Sequence, residues 1–140
     1  MMEYIKITIQ ITVNAPIEKV WKLWTSPHDI MRWNSASDEW HTTKAANEVR
    51  IGGNFSYRME AKDGSEGFDF YGIYTKIKTN ECIEYTMGDG RKATITFTPH
   101  ENQTTIIQTF DAETENTIEL QQMGWQAIMN SFKKYTETTV

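Results

Sequence analysis

Five turn signals follow one another at hairpin spacing through the middle of this chain: Gly52-Gly53, Asp63-Gly64, Thr79-Asn80, Asp89-Gly90 and Glu101-Asn102. Each is the residue chemistry of a tight reversal. Between and beyond them lie Phe55 to Ala61, Phe68 to Ile77, Cys82 to Met87, Ala93 to Thr98 and Thr104 to Phe110, all rich in β-branched and aromatic residues. A parallel crossover needs about a dozen or more residues, and none of these connections is that long. The middle of the chain is therefore predicted to be an antiparallel meander.

The two ends carry different periods. Ile5, Ile7, Ile9, Ile11 and Val13 alternate with Lys6, Thr8, Gln10 and Thr12, the pattern of a half-buried strand. Asn14-Ala15-Pro16 breaks it, and Ile17, Val20, Trp21 and Trp24 then recur at helical spacing, with Pro16 suited to a helix start. Ser26-Pro27 stops this helix, and Ile30, Met31 and Trp33 predict a second short one closing near Asn34. A further strand is expected within Trp40 to Arg50, which brings the sheet to six or seven members. At the other end Leu120, Met123, Gly124, Ala127, Ile128, Ser131, Phe132 and Tyr135 mark one face of a long helix, with Asn116 and Glu119 as a cap-like start and Lys133 and Lys134 toward its end. The simplest way to bury both the sheet's apolar face and this stripe is to lay the helix across a concave sheet. The fold class predicted is thus α+β: one domain over residues 1–140, a curved antiparallel sheet packed on a C-terminal helix, with two short helices after the first strand.

Five Trp, six Tyr, six Phe and seven Met are a large supply of bulky side chains for 140 residues. Phe55, Tyr57 and Met59 share one sheet face, as do Ile83, Tyr85 and Met87, and Ile95 with Phe97. Side chains of this size cannot all interdigitate with a helix stripe containing Gly124, Ala127 and Ser131, so an internal cavity near or above the roughly 300 Å³ lower limit for ligand sites is expected. Tyr57 and Tyr85 are the strongest candidates for contact with a ligand, because an inward phenol needs a hydrogen-bond partner. Phe68 to Ile77 presents apolar residues on both faces, which predicts either a bulge at Gly72 or a covered outer face. Gly124 is expected to allow close approach of a bulky group to the helix backbone, so that Gly124→Ala would destabilise the protein.

Nothing in the sequence assembles a reactive centre. His28, His41 and His100 show no paired ligand spacing, and Cys82 is the single cysteine, so no metal site, cofactor or intrachain disulfide is expected. The most suggestive polar cluster is Asp38, Glu39 and His41 around Trp40, a possible acid/base pair only if both groups face a pocket; a solvated loop anchored by Trp40 is the simpler reading. Nineteen acidic residues against fourteen basic ones give a net charge of −5, with the bases scattered, which disfavours nucleic-acid binding. Met1 to Val13 lacks a signal-peptide pattern, and no apolar run is long enough to span a membrane, so a soluble, cytoplasmic protein is expected.

Asn14-Ala15-Pro16-Ile17-Glu18-Lys19-Val20-Trp21, Trp33, Gly52-Gly53-Asn54-Phe55, Gly72-Ile73-Tyr74, Ile83-Glu84-Tyr85-Thr86 and Gly124-Trp125-Gln126-Ala127 together resemble the activator of heat-shock-protein-90 ATPase homologue family. That family lies within the START-like, helix-grip superfamily, also described as birch-pollen-allergen-like. The resemblance spans essentially the whole chain and implies a helix-grip domain whose cavity, between sheet and C-terminal helix, holds lipids, polyketides or other apolar molecules in relatives. It implies three functional expectations. The first is binding of a small apolar molecule, with Trp33, Trp40, Phe55, Tyr57, Tyr85, Trp125 and Met129 as wall residues. The second is a protein-interaction module like the chaperone activator's C-terminal domain, with chaperone contact and a stress-response role. The third is a cyclase- or hydrolase-like enzyme. The chain begins at its first strand, so the separate N-terminal domain that carries much of the chaperone contact in the eukaryotic activator is expected to be missing.

Overall fold

The computed structural model describes residues 3–140; Met1 and Met2, at the start of the segment read above for a signal peptide, lie outside it. Chain order is β1 (Lys6–Val13), α1 (Ile17–Thr25), α2 (Pro27–Trp33), β2 (Trp40–Asn47), β3 (Asn54–Ala61), β4 (Gly67–Lys78), β5 (Cys82–Met87), β6 (Lys92–His100), β7 (Gln103–Asp111) and α3 (Ile118–Thr138). All strand pairs are antiparallel, and the sheet order is β1-β7-β6-β5-β4-β3-β2. The meander from β2 to β7 is local; only the β1–β7 pairing joins distant parts of the chain. The resulting sheet is a curled half-barrel, with α3 in its grip and α1 and α2 closing one end. No helix among the described residues is long and apolar enough to cross a membrane.

The turn chemistry acts where the sequence placed it. Gly52, Gly64 and Gly90 have positive φ, and so do Asn80 and Glu101, one in each of the five connections. In β4 the change of face has a different origin from the one expected. The register shifts between Tyr74 and Lys76, not at Gly72. Phe70 and Tyr74 pack into the core, Tyr71 and Ile73 face solvent, and beyond the shift Ile77 returns to pack against the core. Gly72 serves close packing instead: a Cβ there would lie 2.4 Å from the Thr86 carbonyl oxygen and 2.8 Å from the Phe55 ring.

Helix α3 starts one residue later than the Asn116 cap implied. Thr117 is its N-cap, and its hydroxyl accepts the Leu120 N–H at 3.1 Å. Its buried face is also rotated from the apolar stripe read in the sequence. Gln121, Met129, Phe132 and Thr136 are buried, with Trp125, Ile128 and Tyr135 packed beside them, whereas Leu120 and Met123 are exposed. Gln121 is drawn in by hydrogen bonding: its Nε2 donates to the Glu113 and Asn116 carbonyls at 3.1 and 2.9 Å, and its Oε1 accepts the Glu113 N–H at 2.9 Å. The polar side chain thus ties the start of α3 to the 112–117 loop.

Most of the packed aromatic residues fall into two groups. Trp21, Trp24, Trp33, Phe97 and Phe132 interlock edge-on and tilted beneath α1 and α2, filling one end of the half-barrel. Phe55, Tyr57, Phe70, Tyr74 and Tyr85 form a second network on β3, β4 and β5. The helix meets this second group through Trp125, which stacks on Phe110 at 3.9 Å and stands edge-on to Phe70.

Candidate functional site

Between the second aromatic group and the N-terminal half of α3 lies a cavity of about 380 Å³. That exceeds the roughly 300 Å³ at which small-molecule sites begin. Its construction follows from the alternation of the strands. Phe55, Tyr57 and Met59 of β3, Phe70 and Tyr74 of β4, Ile83 and Tyr85 of β5, Ile95 of β6 and Gln108 of β7 all face inward, and Trp24 and Trp33 close the inner end. From α3 the wall takes Leu120, Gln121, Gly124, Trp125 and Ile128. The space exists because the helix presents Gly124 to it: a Cβ at that position would meet nothing within 4 Å. This overturns the expectation that a strand or ring presses on the backbone there.

Of the seven wall residues expected from the sequence, Trp33, Phe55, Tyr57, Tyr85 and Trp125 line the cavity. Trp40 and Met129 do not. Trp40 opens the edge strand opposite Ala61 and packs against the Phe68 ring at 6.0 Å, so Phe68 and not Trp40 is the wall residue. Met129 is 1% exposed and sealed within the core, because the buried face of α3 runs through it. Sequence reasoning missed Phe70 and Tyr74, hidden by the two-faced pattern of β4. It also missed Gln108, a polar residue between the apolar inward positions Ile106 and Phe110 of β7, where that anomaly was the available signal.

The wall's polar groups differ in how far they are satisfied. Trp33 Nε1 donates to the Leu23 carbonyl at 2.9 Å and offers the cavity only its ring. Asn34 Nδ2 donates to Thr42 Oγ1 at 3.1 Å, and the Thr42 hydroxyl in turn donates to the Asn34 carbonyl at 2.6 Å. The Tyr74 hydroxyl donates to Asn47 Oδ1, and the Asn47 amide donates to the Thr25 carbonyl at 2.8 Å. Gln108 Nε2 donates to the Tyr85 hydroxyl oxygen at 3.5 Å. Burial holds the Tyr57 and Tyr85 hydroxyls well above the usual phenol range and pushes Tyr74 up to about 12, so all three are protonated near neutrality.

Two charged residues, Arg91 and Glu113, stand at the rim. Arg91 Nε donates to Asp89 Oδ2 at 2.7 Å, and another guanidinium N–H donates to the Asp111 carbonyl at 3.2 Å. Hydrogen bonds from the Asn116 and Glu115 N–H groups hold the Glu113 carboxyl below its ordinary range. The Asp38, Glu39 and His41 cluster is exposed and away from the cavity. Among the described residues no group of three His, Cys, Asp or Glu is placed to hold a metal.

A second depression, about 590 Å³, lies on the outer face of the sheet around Asn54, Ser56, Asp69, Tyr71, Ile73 and Thr86. It is larger, but its side chains are largely solvent-facing and mixed with polar groups. The inner cavity is the better candidate, since ligand sites bury most of the ligand against apolar walls fitted with a few polar groups.

The family model for Activator of Hsp90 ATPase homolog 1-like protein matches residues 14–137. The solution structure of an AHSA1-like protein from Aeromonas hydrophila is 43% identical, with a TM-score of 0.89 over 95% of this chain and 92% of that one. A solution structure from Cytophaga hutchinsonii is 57% identical, with a TM-score of 0.82 over 94% of this chain and 92% of the other. A crystal structure from Chromobacterium violaceum shares the fold at 20% identity, with a TM-score of 0.84 over 96% and 98% of the two chains. No curated protein matches the chain.

Proposed function

The chain belongs to the Activator of Hsp90 ATPase homolog 1-like family, and from that membership and the geometry of the cavity we propose that it binds a small, largely apolar molecule between the sheet and α3. One observation carries the reading: an internal space of about 380 Å³ that aromatic side chains from three strands and the helix surround but do not fill. Filling that space with ordinary core would take only larger residues at positions such as Gly124. Leaving it open forfeits dispersion contacts along the whole wall, a cost that a ligand offsets. Trp33, Phe55, Tyr57, Tyr85 and Trp125 are the proposed contact residues, joined by Phe70 and Tyr74. Native mass spectrometry of freshly purified protein tests the reading. A bound mass lost on denaturation supports it. Absence of any adduct, together with no chemical-shift change at cavity residues on saturation with the apolar probes benzophenone and diphenylmethane, would refute it.

A second reading, a chaperone-contacting interaction module, draws on the family description and on Tyr71 and Ile73, large residues about half exposed on the outer face of β4. It predicts that a purified Hsp90-type chaperone binds the protein and that Tyr71→Ser weakens the complex without changing probe binding in the cavity. Calorimetric titration showing no association would remove it. Both readings place the protein in the cytoplasm, the second in a stress response.

A further inference from the structure

The cavity wall holds one hydrogen-bonding pair whose capacity the protein does not use up. Tyr85 on β5 and Gln108 on β7 each retain only 6% exposure, and both line the cavity. They reach each other across β6, where the residue paired with Tyr85 is the small Ala93. Their contact is long: Gln108 Nε2 donates to the Tyr85 oxygen at 3.5 Å. Among the described residues no acceptor takes the Tyr85 hydroxyl proton, and the second Nε2 proton of Gln108 has no partner either. Tyr74 donates to Asn47 and Trp33 donates to the Leu23 carbonyl, so neither has a proton left for a ligand. Buried donors left unpaired cost stability, so such a pair in an otherwise apolar wall points to a partner that arrives from outside.

On the premise that the cavity takes a ligand, we infer that the ligand carries a neutral carbonyl oxygen that accepts the Tyr85 hydroxyl proton and the free Gln108 amide proton. Its apolar remainder lies among Phe55, Phe70 and Trp125. A carbonyl suits the pair because its oxygen has two lone pairs, one for each donor. An anionic head is disfavoured. The one cationic side chain on the lining, Arg91, is already paired with Asp89 and the Asp111 carbonyl, and Glu113 shares the rim. A carboxylate at Tyr85 would be desolvated without a free counter-charge. Burial keeps the Tyr85 hydroxyl protonated, and therefore a donor, across the physiological range.

Benzophenone and diphenylmethane differ only in a carbonyl against a methylene and test this directly. Tyr85→Phe retains the ring and its 4.8 Å edge-to-face contact with Phe55. It should weaken benzophenone roughly three- to tenfold, the loss of one neutral hydrogen bond, while changing diphenylmethane by less than about twofold. In the wild type, the infrared carbonyl stretch of bound benzophenone should be shifted to lower frequency than in an alkane solvent, a readout that does not depend on any variant folding. In Tyr85→Phe that shift should shrink. An unshifted carbonyl, or equal effects of the substitution on the two probes, overturns the carbonyl inference and leaves apolar binding standing. Failure of both probes to bind the wild type overturns the binding reading, and this inference with it.

Discussion

Gly124 separates stability from binding in a way that substitution can expose. It sits within α3, where glycine costs about 1 kcal/mol relative to alanine. Its missing Cβ opens onto the cavity with nothing within 4 Å. Gly124→Ala should therefore recover most of that helix propensity without a clash. A gain of about 1 kcal/mol corresponds to a rise in Tm of roughly 3–4 °C for a chain of this size. Gly124→Leu should gain further, because its side chain enters apolar space; full burial of a leucine is worth about 1.5–3 kcal/mol, and the half-buried position should return part of this. Binding should move the other way. Alanine narrows the cavity slightly, whereas leucine occupies it beside Trp125 and Leu120, and should weaken a neutral naphthylamine dye by about tenfold or more through overpacking of the bound state. Urea unfolding at constant m-value gives the stability arm, and dye fluorescence titration gives the binding arm. A lowered urea midpoint for Gly124→Ala would mean that the helix backbone is closely packed there after all. Unchanged dye affinity in Gly124→Leu would place binding elsewhere than in this cavity.

Met129→Ala should cost about 2–5 kcal/mol as a core truncation, yet leave the dye affinity of the folded fraction unchanged, since Met129 is buried outside the lining; calorimetric unfolding and fluorescence titration separate the two. Gly72→Ala should lower the urea midpoint by an amount equivalent to about 1–3 kcal/mol, because a Cβ would be driven into the Thr86 carbonyl and the Phe55 ring; an unchanged midpoint would show that β4 can move aside at little cost. Glu137 accepts from Lys133 Nζ and from the Asn14 N–H, both at 2.7 Å, and these bonds hold its carboxyl below the ordinary range. With the folded pKa depressed, the stabilisation is present above the unfolded value and is lost as pH falls through the folded one, so Glu137→Gln should flatten the decline in stability below about pH 4.5; identical acid unfolding curves would refute it.

What the sequence made legible was set by the physics behind each signal. Turn positions and strand alternation depend on φ and on side-chain parity, which are local properties, and the meander could be read from them. The position of the β4 face change was not local. Gly72 resembles a bulge glycine in isolation, and only the Phe55 ring packed on it from β3 shows that it serves close approach instead. The rotation of α3 had the same kind of cause. Leu120 and Met123 satisfy the apolar period better than Gln121 does, but Gln121 can satisfy three groups of the 112–117 loop at once, and a helix face is chosen by total burial and hydrogen bonding, not by hydropathy alone. Rotation toward Gln121 turns Trp125 onto the cavity and Met129 into the core, while Gly124 remains on the lining. The unfilled volume thus follows from where the helix is anchored as well as from the abundance of aromatic residues. Loosening that anchor should shift the cavity wall: Gln121→Leu keeps the bulk but leaves the Glu113 and Asn116 carbonyls and the Glu113 N–H without the side chain that pairs them. If the anchoring reasoning holds, amide exchange in residues 112–120 should accelerate in this variant and dye affinity should fall while the β-sheet amides stay protected; uniform protection across the loop and the sheet would show that the helix is held by its apolar contacts alone.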